Sequence, residues 1–223
     1  SGVLAFSSAP DYETKSSYSA TVTASDGTNS STQNITVNVT NVNDNTPSIT
    51  SSSTFSAAEN QTSIGTVTAT DADGDTLTYS LSGTDASSMT IGSSSGVLAF
   101  SSAPDYETKS SYIATVTASD GTNSATQNIT VSITDVDDVA PVFTSSSTFS
   151  AAENQTSIGT VTATDVDSSS ISFSVSGSDL SMTTSGVLSF VSAPDYETKS
   201  SYTATVTASD GTNSSTQNIT VNV

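Results

Sequence analysis

The residues of this chain that could do chemistry are carboxylates in fixed groups, and the chemistry they suit is the binding of a hard cation. They recur as Ala-Glu-Asn at Glu59 and Glu153 and as Asp-x-Asp at Asp71/Asp73 and Asp165/Asp167. Asp-Tyr-Glu follows at Asp11/Glu13, Asp105/Glu107 and Asp195/Glu197, and Ser-Asp-Gly at Asp26, Asp120 and Asp210. Two further segments, Asn41-Val-Asn-Asp-Asn45 and Asp135-Val-Asp-Asp-Val139, complete the set. Of 22 acidic residues only Asp85 and Asp179 stand outside these motifs, with Asp75 as an extension of one of them. The only bases are Lys15, Lys109 and Lys199, each just after Asp-Tyr-Glu. Grouped carboxylates with so few bases need another cation, and hard oxygen donors in this number point to calcium.

A formal charge of −19 over 223 residues excludes electrostatic binding of nucleic acid. The same charge repels anionic membrane surfaces. No apolar run approaches the length of a membrane span, so direct membrane insertion of this segment is not expected. Cysteine is absent, which removes disulfides and thiolate-bound zinc. Histidine and arginine are also absent, and each carboxylate pair recurs once per repeat, so no enzyme is expected. The chain opens inside a motif, Ser1-Gly-Val-Leu-Ala-Phe6, and reads as a piece of something longer.

Internal repetition sets the organisation. Residues 1–18 recur identically at 95–112 and nearly so at 185–202, and residues 51–71 recur identically at 145–165. The step from Gly2 to Gly96 is 94 residues and that from Gly96 to Gly186 is 90. We therefore expect the C-terminal half of a repeat at 1–47, a complete repeat at 48–141, and a third at 142–223 that lacks its junction segment.

Each repeat reads as strands. Tyr112, Ala114, Val116 and Ala118 alternate with Ile113, Thr115 and Thr117, and Ile129, Val131 and Ile133 alternate with Thr130, Ser132 and Thr134. Leu77, Tyr79 and Leu81 follow the same rule. A period of two marks half-buried strands, and branched threonine suits a pleated sheet. Asp73-Gly74, Asp120-Gly121 and Asp210-Gly211 mark turns. Short strands at this spacing predict an all-β fold, a tandem array of Greek-key β-sandwiches. Phe100, Phe190 and Tyr106 are expected in the core. Residues 1–47 carry only the later strands, so their inner face and strand edges should be exposed unless upstream residues or another chain complete the sandwich.

In this order the motifs resemble cadherin repeats, over the whole chain. Glu59 resembles the family's Pro-Glu-Asn glutamate, Asp71-Ala-Asp73 its Asp-x-Asp pair, and Asp105-Tyr-Glu107 its Asp-Arg-Glu. Ala118-Ser-Asp120-Gly fits the Ala-x-Asp-x-Gly strand end, and Asn41-Val-Asn-Asp-Asn45-Thr-Pro47 is similar to the Asp-x-Asn-Asp-Asn-x-Pro junction. The cysteine-free, near-identical copies look like the bacterial cadherin-like arrays of giant surface adhesins.

The resemblance implies calcium at each junction, up to three ions in the family pattern. Carried over, the first junction uses Asp11, Glu13, Asn43 and Asp44 from above and Asp71, Asp73 and Asp120 from below. The second uses Glu59, Asp105, Glu107, Asp135, Asp137 and Asp138 from above and Asp165, Asp167 and Asp210 from below. There are departures: Asn41 replaces the junction's first Asp, Asp137 the family Asn, and Val139 the last Asn, while Asp75 becomes Ser169 one repeat later.

Like charges this close repel unless a cation intervenes. Cation binding therefore favours the docked joint, and the expected function is a calcium-stiffened extender of a long extracellular, cell-surface adhesin or filament. Two alternatives stand beside it. In one the repeats themselves bind polysaccharide or like repeats on other chains; in the other, chains polymerise by exchanging strands.

Overall fold

The computed structural model describes residues 2–168 and 170–223; Ser169, the counterpart of Asp75, lies outside them. Among the described residues regular structure is strand, apart from one 3-10 turn at Ala86–Ser88. The all-β sandwich architecture read from the alternation is the observed one. The chain divides into two compact units, one of Ser1–Pro104 with Ser111–Ile133, the other of Asp105–Ser110 with Thr134–Val223.

In the first unit, Ser111–Ser119 and Ser124–Thr134 form a long antiparallel hairpin, with Ala114 opposite Ile129 and Val116 opposite Gln127. Thr54–Ala58 and Thr78–Ser82 flank it to make a four-stranded sheet. A three-stranded sheet of Ser63–Thr66, Val97–Phe100 and Met89–Ile91 supplies the other layer, and Ser48–Ile49 pairs with Ala69–Thr70. Inward positions of both layers bury Val67, Met89, Leu98, Phe100, Ala114, Val116, Ile129 and Val131. Phe100 and Tyr112 meet across the layers edge to face, with ring centroids 4.9 Å apart. The outward residue Ile113 is half exposed, as a period of two requires.

The second unit repeats this plan. Thr148–Ser150, Ser214–Asn222, Ser201–Ser209 and Ser172–Val175 form the four-stranded sheet, in that order. The first pair is parallel and the last two pairs are antiparallel. Ser157–Thr160, Val187–Phe190 and Leu180–Met182 form the facing sheet. Val161, Leu180, Leu188, Phe190, Val206, Ile219 and Val221 are buried together. Each such aliphatic side chain contributes about 1.5–3 kcal/mol by leaving water.

One glycine is required by this packing in each unit. Gly96 adopts φ +67°, and a Cβ there would fall on the carbonyl oxygen of Val67. The two residues are also joined by a hydrogen bond from the Val67 amide to the Gly96 carbonyl, 2.9 Å. Gly186 stands in the same relation to Val161.

Ser17–Ser25 and Ser30–Asn38 pair as a two-stranded hairpin with Ala20 opposite Ile35. Leu4 is 63% exposed and Phe6 42%, whereas Leu98 and Phe100, in the identical segment one repeat later, are 0% and 4%. The uncovered face forms a groove of about 440 Å³ lined by Leu4, Phe6, Tyr18, Ala20, Ile35 and Val37.

One core expectation needs correction. Phe100 and Phe190 are buried, but Tyr106 is only half buried and its counterpart Tyr196 is 53% exposed. The Asp-Tyr-Glu segment is a turn outside the sheets, so its ring lies at the surface of the sandwich and not inside it.

Candidate functional site

The turn after each long strand begins the site. In Ser119-Asp120-Gly121, one carboxylate oxygen of Asp120 (Oδ1) accepts the backbone N–H groups of Thr122 and Asn123 at 2.7 and 2.6 Å. Asp210 does the same with Thr212 and Asn213, both at 2.6 Å. The turn role expected of these residues is thus met by Oδ1 alone. Oδ2 of Asp120 and of Asp210 is buried with no hydrogen-bond partner. Burial pushes the Asp120 carboxyl up, but the Asn123 and Thr122 amides together with the Asn43 and Asn123 side chains outweigh it, and its pKa is lowered.

The Asp-x-Asp pairs repeat the pattern. Asp165 Oδ1 accepts the backbone N–H of Asp167 and Ser168 at 2.9 Å each, leaving Oδ2 buried and unpartnered. Asp71 Oδ1 accepts from Asp75 N–H at 3.3 Å, and its Oδ2 is likewise unpartnered. The second aspartate of each pair reaches the junction backbone. Asp73 Oδ2 accepts the N–H groups of Asp44 and Asn45 at 3.1 and 2.8 Å, and Asp167 Oδ2 those of Asp138 and Val139 at 3.0 and 2.7 Å.

Around the first junction the structure brings Glu13, Asp44 and Asp73 together, with an oxygen of each within 4.8 Å of the others. Asp71, Asp73 and Asp75 form a second such group. Burial pushes the Glu13 carboxyl up, with Asp11 and Asp73 adding to the effect, whereas the Asn45 side-chain amide holds Asp73 below the usual carboxylate range. Asp11 turns its carboxylate onto its own segment, accepting from the Thr14 hydroxyl at 2.7 Å and from the Glu13 and Thr14 amides. Those bonds, led by the hydroxyl, lower its pKa. Asn43 is half buried and accepts from the Asn123 side chain at 3.1 Å.

In the second unit, Asp137 is half buried, and its carboxylate accepts from the Thr212 hydroxyl at 3.1 Å and the Asn213 amide at 3.3 Å. Asp105 accepts from the Thr108 hydroxyl at 2.9 Å, the main cause of its lowered pKa, just as Thr198 lowers Asp195. Asp105, Glu107, Asp135 and Asp138 are exposed. Glu59, directly after the strand Thr54–Ala58 of the first unit, is 1% exposed.

Two kinds of residue escaped the sequence reading. Asn123 and Asn213 each donate from their side-chain amide to a junction carbonyl, Asn45 and Asp137 respectively, at 3.1 Å. The signal was present, because every copy reads Ser-Asp-Gly-Thr-Asn. Glu153, Asp195 and Glu197 also converge within 4.8 Å; their motifs repeat those of Glu59, Asp105 and Glu107 but entered no expected ligand set.

The contacts of Lys15 and Lys199 lead away from these groups. Lys199 bonds Asp179 at 2.7 Å and lies 4.2 Å above the Tyr202 ring, and Lys15 lies 4.5 Å above Tyr18. Both fold their stems over aromatic faces. The acidic sets are therefore oxygen-rich, and in each unit they include buried oxygens facing no donor, which suits a hard divalent cation.

Comparison with known proteins adds ancestry to this geometry. A family profile described as "Cadherin domain" matches residues 53–134 and 147–223. Mouse "Protocadherin Fat 4" is 33% identical over 99% of this chain and 5% of its own length. Human "Protocadherin Fat 1" is 41% identical over 60% of the chain and 3% of its own length. This chain therefore spans only a small part of such relatives. Among solved structures, mouse Cadherin-23 EC22-24 superposes with a TM-score of 0.73 at 28% identity, covering 96% of this chain and 76% of that one. A protocadherin gammaB7 EC3-6 cis-dimer structure superposes with a TM-score of 0.72 at 29% identity, covering 96% and 59%.

Proposed function

The chain belongs to the cadherin domain family, and from that premise we propose that its repeats are calcium-stiffened extenders in a long extracellular adhesin or surface filament. Cadherin domains are extracellular adhesion modules and not enzymes. The observation that carries the calcium reading is the set of buried, unpartnered carboxylate oxygens on Asp71, Asp120, Asp165, Asp167 and Asp210. Burying charge without a counter-charge is costly, by several kcal/mol per ion, and a bound cation removes that cost.

The residues proposed to hold calcium at the first junction are Asp11, Glu13, Asn43, Asp44, Asp71, Asp73 and Asp120. Asp105, Glu107, Asp135, Asp137, Asp138, Asp165, Asp167 and Asp210 are proposed for the second, and Glu59 is proposed as a ligand on the burial of its carboxylate. The repeat bounds that go with this are 1–47, 48–141 and 142–223. Bound calcium supplies positive charge that joins oxygens from successive repeats, and so restrains the joint between them. The likeness to bacterial arrays rests on the near identity of the copies and the lack of cysteine, while the relatives named above are animal proteins.

A second reading, association with like chains, draws on the uncovered apolar groove at Leu4 and Phe6 and on the cis-dimer among the structural neighbours. No observation favours polysaccharide.

The experiment is a calcium titration of the chain by calorimetry, with small-angle scattering in parallel. Saturable binding with a rise in melting temperature and in maximum dimension is expected. Absence of binding at millimolar calcium overturns the extender mechanism. Association growing with chain concentration brings the second reading forward.

A further inference from the structure

The two junctions differ at one position in a way that bears on how each takes up its cation. Both keep the same backbone cradle, in which two consecutive junction amides donate to Oδ2 of the second Asp-x-Asp aspartate. They part at the next side chain. In the first junction Asn45 Nδ2 donates to Asp73 Oδ1 at 2.9 Å and to Asp44 Oδ1 at 3.1 Å. Its amide group thus lies between two carboxylates of the Glu13, Asp44, Asp73 group, with a hydrogen directed at each. In the second junction the corresponding residue is Val139, whose side chain has no donor to offer, and Asp167 Oδ1 is buried without a partner.

Resting on the calcium reading above, we propose that Asn45 is an internal competitor for calcium, so that the first junction fills at higher calcium than the second. A cation approaching Oδ1 of Asp73 must displace the charge-assisted hydrogen bond from Asn45, which is stronger than a neutral one. A cation approaching Asp167 displaces none at Oδ1 and relieves a buried bare oxygen. Asn41 acts in the same direction. It stands where Asp135 stands in the second junction, so it contributes no charge, and its Nδ2 donates to the Asp73 carbonyl at 2.8 Å. The amide of Asn45 also steadies the cation-free first junction, which the cation-free second junction lacks. The consequence is a graded joint: as calcium rises the second junction stiffens first, and the first remains pliable over a further range of concentration.

The test is calorimetric calcium titration of the full chain and of two reciprocal variants, Asn45→Val and Val139→Asn. The parent should show two classes of site. Asn45→Val should tighten the weaker class about tenfold, the effect of losing roughly one charge-assisted hydrogen bond, and Val139→Asn should weaken the tighter class to a similar degree. A readout independent of loading is the Asn45 side-chain NH₂ resonance in nitrogen-15 NMR. Its hydrogens should exchange slowly in chelator and move only as the weaker class fills. If Asn45→Val folds and leaves the weaker class unmoved, or if that NH₂ moves with the tighter class, the competitor is overturned while the calcium sites stand. If neither junction takes up calcium, both this inference and the extender reading fall.

Discussion

The side-chain amide of Asn123 reaches the main-chain carbonyl of Asn45 at 3.1 Å and thereby ties a turn of the four-stranded sheet to a junction 78 residues earlier in the chain. Asn213 likewise reaches the junction of the second unit, at the main-chain carbonyl of Asp137, two residues earlier in the segment. Neither asparagine carries charge, yet both set where the charged junction segment sits.

Removing that tie should loosen the ligands without removing one. Asn213→Ala is expected to lower stability by about 1 kcal/mol, the net value of a lost hydrogen bond, and to weaken calcium binding. Chemical denaturation in chelator and calorimetry with calcium measure the two effects separately. An unchanged affinity alongside a stability loss would confine Asn213 to folding.

The division of labour within Asp210 predicts opposite effects with and without cation. Asp210→Asn keeps an oxygen to accept the Thr212 and Asn213 amides but removes the buried charge. In chelator its melting temperature should hold or rise. In calcium the rise seen for the parent should shrink, with affinity down about tenfold or more. A drop in chelator of the size seen for Asp210→Ala would mean that the carboxylate serves the turn alone.

Identical residues in the copied 18-residue segment should respond to their surroundings. Leu98→Ala, at a fully buried site, is expected to cost about 2–5 kcal/mol. Leu4→Ala, at 63% exposure, should change stability by no more than about 0.5 kcal/mol. Denaturant titration of the two variants decides it, and equal costs would show that the face around Leu4 is covered in solution.

Titration offers a check outside the proposed ligand sets. The Asn29 and Thr28 backbone amides hold the Asp26 carboxyl below its ordinary value. The folded state therefore binds this proton less tightly than the unfolded state does. Its contribution to stability is present above the unfolded pKa of about 3.9 and is lost as pH falls through the lower folded value. Carbon-13 NMR in chelator should find Asp26 titrating below that range, and Asp26→Asn should remove the acid-dependent rise in amide exchange at Gly27–Asn29. A normal pKa would show that the turn bonds do not persist in solution.

Much of this molecule is determined by its sequence alone, because its signals are local and repeated. Alternation through Tyr112–Ala118 and Ile129–Ile133 follows from the two faces of a strand, and it marked Ala114, Val116, Ile129 and Val131 as core before any contact was known. Recurrence set the register of one copy on the next, and grouped acids with so few bases pointed to a cation. Tertiary structure decided what depends on partners distant along the chain. Leu4 and Leu98 sit in identical segments, yet Leu98 is fully buried and Leu4 exposed, because Leu98 belongs to a sandwich of two sheets and Leu4 lies beside a two-stranded hairpin. Tyr106 looked like core by residue type and proved half exposed, since it sits on a turn beyond the sheets. Which of two equivalent oxygens on Asp120 is taken by the turn, and whether Asp73 or Asp167 has its Oδ1 occupied, are set by where Asn123, Asn45 and Val139 come to rest. Local patterning fixes faces and turns. The choice of partner for each carboxylate oxygen needs the packed sheets, because hydrogen bonding is decided over a few tenths of an ångström and sequence spacing is not.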